Sequence, residues 1–181
     1  MRNPPLKKMN LQHLNLTVQE FYPREDGRER WKLDAPYQRA RLWTEEQNRN
    51  LIKSLLEGIP IGVIFTNNRD RFAASDNIVD GKQRISAIRD FFEGKLEVPA
   101  EWWEEKDVPA GKDEVSYQDL SIRARRFFDS CTMAVAESKL PDLQAEAGLY
   151  LLVNFGGVPQ TEIDMARAQE LAQEPEAHSI G

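Results

Sequence analysis

The sequence is poor in cysteine and has no long apolar run. Its single cysteine, Cys131, excludes an intramolecular disulfide and is typical of a reducing compartment. No stretch approaches the roughly 20 apolar residues that a membrane-spanning helix needs. The N-terminus is basic but lacks the apolar segment of a secretory signal. We therefore predict a cytoplasmic protein that does not enter a membrane.

Positive charges are outnumbered by negative ones. The chain has 24 Lys and Arg against 30 Asp and Glu, a net charge of −6, which argues against a surface built for non-specific nucleic-acid binding. The possibility of a local basic patch stays open, because Arg123, Arg125 and Arg126 lie close together in the sequence. The length of 181 residues suits one domain over residues 1–181, and we expect its termini to be loosely ordered.

Local signals in the first half predict a mixed α+β fold. Thr44 and Gln47 form a capping box, which predicts a helix that ends at Gly58. The apolar residues 59–65 predict a strand buried on both faces, and residues 76–79 predict a second strand. The order helix, strand, turn, strand, turn, helix is typical of a small sheet flanked by helices.

The strongest motif is the segment 78–85, which we call the Asp80 turn. A β-branched run ends at Asp80, turns on Gly81 and passes into an apolar pattern of helical spacing. A helix start favours anions, because its first N–H groups are unpaired, and Arg84 in the first helical turn could grip a phosphate. Asp80 could orient Arg84, hold a metal ion or act as a base. Alternatively, Asp80 only caps the helix and Arg84 is only a solvated side chain.

Two further motifs flank this turn. Tyr37, Gln38 and Arg39 combine an aromatic ring, an amide and a guanidinium, which are means of gripping a base or a phosphate; the alternative is a core tyrosine with solvated neighbours. Residues 152–162 contain Asn154 and a Gly-Gly turn before a predicted helix that bears Glu162. Such a turn often only connects elements.

Residues 97–119 have no sustained periodicity and hold Trp102 and Trp103 among several carboxylates. This pattern predicts a long loop of the kind that is often functional. We expect its carboxylates to form a solvated face and not a metal site. They are Glu101, Glu104, Glu105, Asp107, Asp113 and Glu114.

Together the motifs resemble the family called domain of unknown function 262, the N-terminal domain of GmrSD-type modification-dependent restriction enzymes. The resemblance covers roughly residues 30–170 and rests on the order of four motifs: residues 36–39 with Trp43, residues 55–61, residues 79–84, and residues 154–157 with Glu162. The family has a ParB/sulfiredoxin-like fold, and its hallmark is Asp-Gly-Gln-Gln-Arg. The resemblance therefore implies a small mixed sheet flanked by helices.

The resemblance also implies a nucleotide site, because members of this family bind and in some cases hydrolyse nucleoside triphosphates. Asp80, Gln83 and Arg84 would be catalytic, and Asp80 would hold a magnesium ion. Arg84 and Arg39 would neutralise the phosphates. The full set implied to bind the nucleotide and its phosphates is Tyr37, Gln38, Arg39, Gly81, Lys82, Asn154, Gly157 and Glu162.

The sequence departs from the family pattern at Lys82, where the first glutamine of the hallmark usually stands. The added charge could help to bind phosphate, but it puts hydrolysis in doubt. The two histidines, His13 and His178, lack the signature of a His-Asn-His nuclease, so DNA cleavage would require a partner nuclease or the small domain itself.

Three hypotheses follow. The first is a nucleoside triphosphatase that works alone, as a homodimer or with a partner nuclease. The second is a ParB-like nuclease or DNA-binding module that uses its arginines. Salt-dependent DNA binding would favour this second hypothesis. The third is a non-catalytic, phage-encoded interaction protein that acts on a restriction system, which nucleotide binding without turnover would favour. We favour the first.

Overall fold

The computed structural model describes residues 9–24, 30–37, 43–68 and 76–154. Short single-turn 3-10 segments connect several of the elements. The helices are α1 (Glu45–Leu56), α2 (Lys82–Phe92), α3 (Ile122–Ser130) and α4 (Leu143–Asn154). The strands are β1 (Gln12–Thr17), β2 (Trp31–Lys32), β3 (Ile64–Asn67), β4 (Asp76–Asp80), β5 (Val98–Pro99), β6 (Glu114–Val115) and β7 (Thr132–Ser138).

Five strands form one mixed sheet in the order β1-β7-β3-β4-β2. The β1–β7 and β3–β4 pairs are antiparallel, whereas β3–β7 and β2–β4 are parallel. The β5 and β6 strands form a separate antiparallel ribbon. The prediction of an α+β fold with a small mixed sheet flanked by helices is therefore confirmed.

The two faces of the sheet have different cores. On β4, Ile78 joins the larger cluster, to which α1, α2 and α3 contribute, while Val79 joins a smaller cluster with α4. This alternation follows from the period of two along a strand. The central strands β3 and β4 are thus covered on both sides.

No helix within the described ranges is long and apolar enough to cross a membrane.

The predicted helix caps are confirmed. The Thr44 side chain accepts from the Gln47 N–H and the Gln47 side chain accepts from the Thr44 N–H, so the capping box starts α1 as expected. Gly58 follows the helix with a positive φ of 69°. These signals are contained within a few residues, which is why the sequence alone is sufficient to predict them.

The strand predicted over residues 59–65 is wrong for most of its length. Only Ile64 and Phe65 enter β3, and Ile59 is 51 % exposed. Pro60 has no N–H to donate to a strand partner, and Gly62 has a φ of +84°, which is outside the strand region. We call residues 59–63 the β3 approach loop.

The segment 97–119 is more structured than predicted. It holds the β5–β6 ribbon and three 3-10 turns, and its Val98 and Val115 are buried in the larger core. Asp107 also departs from the expected solvated face, since it is buried and pairs with Arg123. Within the predicted basic patch, Arg123 is therefore neutralised by an ion pair, while Arg125 keeps its charge and donates a hydrogen bond to the Gln118 carbonyl.

Candidate functional site: the Asp80 turn and a buried carboxylate

The Asp80 turn joins β4 to α2 through a single residue. β4 ends at Asp80 and α2 begins at Lys82, so Gly81 makes the whole connection, with a φ of +110°. A Cβ atom on Gly81 would lie 3.0 Å from Cγ1 of Ile64. The turn therefore requires glycine both for its backbone conformation and for its packing on β3.

Arg84 is held by contacts within the protein. Its Nη2 donates to Asp80 Oδ2 at 2.6 Å, and its Nη1 donates to the carbonyls of Ile61 and Val63 at 3.0 and 3.1 Å. The Arg84 side chain is 14 % exposed. Burial lowers the pKa of Arg84, and the Asp80 carboxylate opposes that shift. This pairing is the contact that the first of the three roles considered for Asp80, the orientation of Arg84, requires.

The start of α2 has the features expected of an anion site. Gly81 offers no side-chain acceptor to the first N–H groups of the helix, and the first turn contains no carboxylate. Lys82 stands at its first position and is half-buried. The positive end of the helix dipole therefore lies at the Asp80 turn, and the first residue of the helix is a lysine.

A second polar centre lies near the other end of β4, on the α4 face of the sheet. Glu146 of α4 is fully buried. Its carboxylate accepts from the Tyr37 hydroxyl at 3.1 Å, from Asn67 Nδ2 at 2.5 Å and from Asn77 Nδ2 at 3.0 and 3.2 Å. We call these four residues the Glu146 cluster.

Further hydrogen bonds hold the Asn67 amide in place. Its Oδ1 accepts from the Ser138 hydroxyl at 2.9 Å and from the Leu140 N–H at 2.7 Å, while its Nδ2 also donates to the Leu140 carbonyl. The amide orientation is therefore fixed from both sides. Since Ser138 ends β7 and Asn67 ends β3, the cluster sits where two parallel strands finish.

The Glu146 cluster was not predicted from the sequence. One signal could have indicated it, because Glu146 is the only charged residue in α4. A lone carboxylate in an otherwise apolar helix is either exposed or paired in the interior. Its partners could not be identified without the sheet order.

The structure divides the predicted site residues between these two places. Tyr37 and Asn154 both lie beside Tyr150 of α4: the rings of Tyr37 and Tyr150 are 5.3 Å apart, and Asn154 Nδ2 donates to the Tyr150 carbonyl at 2.8 Å. The residues brought together at the Asp80 turn are Asp80, Gly81, Lys82, Gln83 and Arg84. Those that lie outside the described residues are Gln38, Arg39, Gly157 and Glu162.

A metal ion would find few protein ligands here. Over the described part of the chain, no three His, Cys, Asp or Glu residues are grouped closely enough to hold one. At the Asp80 turn, Asp80 is the carboxylate available, and its side chain is 25 % exposed. One carboxylate is compatible with a magnesium ion that takes its other ligands from phosphates and water.

Comparisons with known proteins place the chain in a family. The model described as GmrSD restriction endonuclease, N-terminal domain, matches residues 24–169. Among solved structures, the C-terminally truncated chromosome-partitioning protein ParB from Caulobacter crescentus, complexed with CTP-gamma-S, is similar with a TM-score of 0.42 and 16 % identity. That match covers 90 % of this chain and 63 % of the ParB chain. No curated protein sequence matches. Because the family model spans most of its residues, the chain belongs to the family of GmrSD restriction endonuclease N-terminal domains.

Proposed function

We propose that this domain binds a nucleoside triphosphate at the Asp80 turn, as the nucleotide-handling part of a restriction system. The observation that carries the proposal is the start of α2, which follows a left-handed glycine, lacks a side-chain cap and has a lysine as its first residue. Membership of the restriction endonuclease family supports this role. In this proposal the phosphates contact the first N–H groups of α2 and the Lys82 ammonium.

For Arg84 we propose a positioning role in place of the catalytic and phosphate-neutralising role that the family resemblance implied. Its guanidinium already binds Asp80 and two carbonyls of the β3 approach loop. We therefore assign it to positioning Asp80 and the loop. In this proposal, Lys82 and Arg39 neutralise the charge of the phosphates. Arg39 follows Tyr37 by two residues in the sequence. Gln38, Asn154, Gly157 and Glu162 complete the proposed nucleotide contacts.

Hydrolysis is the second part of the proposal. Asp80 would hold a magnesium ion together with the phosphates, and that ion would neutralise charge on the phosphates. Gln83, in the first turn of α2, would orient the attacking water. A partner nuclease would then carry out DNA cleavage. The alternative of a DNA-binding module is less favoured, because Arg123 is already paired with Glu104 and Asp107.

Calorimetric titration with each nucleoside triphosphate plus magnesium tests the binding step. Lys82→Ala should weaken binding about tenfold or more, since a charge-assisted contact contributes about 1.5–3 kcal/mol. Lys95→Ala is the matched control, because Lys95 lies just beyond the opposite end of α2 and is 66 % exposed. Equal affinities for the wild type and Lys82→Ala would contradict the proposal, as would the absence of binding to every nucleotide.

A phosphate-release assay tests the hydrolysis step. Asp80→Asn should abolish release, while Lys95→Ala should leave it unchanged. If the wild type binds a nucleotide without releasing phosphate, the hydrolytic part of the proposal is wrong. The domain would then act as a nucleotide sensor, and Lys82→Gln, which restores the residue usual in the family, is the variant in which release should be sought.

A further inference from the structure

The Glu146 carboxylate joins three separate segments of the chain. Its hydrogen-bond donors come from Tyr37 before α1, from Asn67 at the end of β3 and from Asn77 within β4. Each lies at least 69 residues away from Glu146 in sequence. A single fully buried group therefore connects α4, two central strands and the segment that contains Tyr37.

The chemistry of the cluster requires a carboxylate. Among the described residues, these three partners present donors, namely one hydroxyl and two amide NH₂ groups. An ionised carboxylate only accepts hydrogen bonds, and its two oxygens can accept about four of them. In either orientation of its amide, a glutamine at this position would direct its own NH₂ group towards at least one asparagine NH₂ donor. Hence Glu146→Gln changes the hydrogen bonding and leaves the shape nearly unchanged.

Each segment held by Glu146 leads directly to residues of the proposed nucleotide site. Asn77 precedes Asp80 by three residues on the same strand, and Tyr37 immediately precedes Gln38 and Arg39. Along α4, Glu146 precedes Asn154 by eight residues, and that helix packs against β4. A displacement of the carboxylate would therefore act on Asp80 through β4 and on Asn154 through α4.

We propose that Glu146 is a positioning residue, which holds the separate parts of the nucleotide site in register through Tyr37 and Asn77 without touching the nucleotide. This inference rests on the proposed function, since it concerns the same site. It predicts that the Glu146 cluster determines nucleotide affinity to a greater extent than its contribution to stability alone would explain. A merely structural carboxylate would not have this effect.

The chain offers a matched control on the other face of the sheet. Asp129 accepts from the hydroxyls of Tyr22 and Tyr117 at 2.7 and 2.9 Å. It is thus a second carboxylate that joins distant segments by hydrogen bonds from side chains. Neither tyrosine belongs to the proposed nucleotide site. Asp129→Asn therefore perturbs a network of the same kind, centred on a half-buried carboxylate whose two tyrosine partners lie outside the Asp80 turn and α4.

The experiment is calorimetric titration of the full chain with the four ribonucleoside triphosphates plus magnesium, with the free energy of unfolding measured for every variant. Glu146→Gln should weaken binding about tenfold or more, the size typical of residues that orient a binding group. Asn77→Ala, which removes one donor and keeps the carboxylate, should show a smaller loss in the same direction. Asp129→Asn should bind within about twofold of the wild type, well below the tenfold change that 1.4 kcal/mol produces.

The outcomes separate this inference from the function on which it rests. If the wild type binds no nucleotide, the proposed function fails and the positioning role falls with it. If the wild type binds a nucleotide, and Glu146→Gln and Asn77→Ala bind it as tightly as the wild type does, only the positioning role is overturned. It is also overturned if Asp129→Asn loses as much affinity as Glu146→Gln, because the loss would then follow general destabilisation. If Glu146→Gln does not fold, Asn77→Ala compared with Asp129→Asn decides the question.

Discussion

Replacing Gly81 with alanine should destabilise the protein more than the same change at Gly58. Both glycines have positive φ, +110° and +69°, so alanine at either position incurs the backbone cost of that region, about 1–2 kcal/mol. At Gly58 the added methyl meets open space, with no atom within 4 Å. At Gly81 it would lie 3.0 and 3.2 Å from Cγ1 and Cγ2 of Ile64.

The clash at Gly81 cannot be relieved cheaply. Ile64 is fully buried in the larger core, and forcing an extra methyl into a packed core costs about 1–3 kcal/mol. We therefore expect Gly81→Ala to lower the free energy of unfolding by about 2–5 kcal/mol, compared with about 1–2 kcal/mol for Gly58→Ala. The difference between the two variants isolates the packing contribution.

Urea denaturation followed by tryptophan fluorescence measures both effects. If the slope of the unfolding free energy against urea concentration is unchanged, each variant exposes as much surface on unfolding as the wild type does. If the two alanine variants are equally stable, the close packing of the Asp80 turn on Ile64 is wrong. If both are as stable as the wild type, the left-handed conformation of the glycines is wrong as well.

Three further predictions concern the response of stability to pH. Burial raises the pKa of Asp76 above its usual 3.8, so Asp76→Asn should stabilise the protein at neutral pH, with a gain that disappears as the pH falls towards 3.8; a variant less stable at pH 7 would contradict this. Burial, followed by the hydrogen bond to Asp129, raises the pKa of Tyr117 from 10.0 to about 12, so stability should fall between pH 10 and 12, and less so in Tyr117→Phe; equal slopes for the two proteins would contradict it. The hydrogen bond from Arg123 lowers the pKa of Asp107 below 3.8. Arg123→Ala should therefore be less stable than the wild type above that pH, and its stability should fall less steeply as the pH drops below it. Denaturation melts between pH 2 and 7 check this.

Local signals account for the parts of the fold that the sequence was able to predict. The capping box of α1 and the glycine turn into α2 each depend on residues within four positions of one another. The β3 approach loop shows the limit of this approach. Its apolar composition favours a strand, but the carbonyls of Ile61 and Val63 bind Arg84, which lies more than 20 residues further along the chain.

The Glu146 cluster shows the same limit more strongly. Its hydrogen bonds span 69 to 109 residues of sequence, and they depend on which strands are neighbours in the sheet. No periodicity in the sequence specifies that order. The motif residues at the Asp80 turn could be identified because they are contiguous, whereas the carboxylate that connects this strand to Tyr37 could be found only in the folded structure.

The hydrogen bonds of Arg84 connect the Asp80 turn to the β3 approach loop. The guanidinium is shared between an acid that could turn towards a metal ion and two carbonyls of a loop that exposes Ile59. Any change in the partner of Asp80 therefore alters the electrostatic environment that keeps this loop in place. The turn and the loop are therefore expected to shift together when the contact between Asp80 and Arg84 is altered.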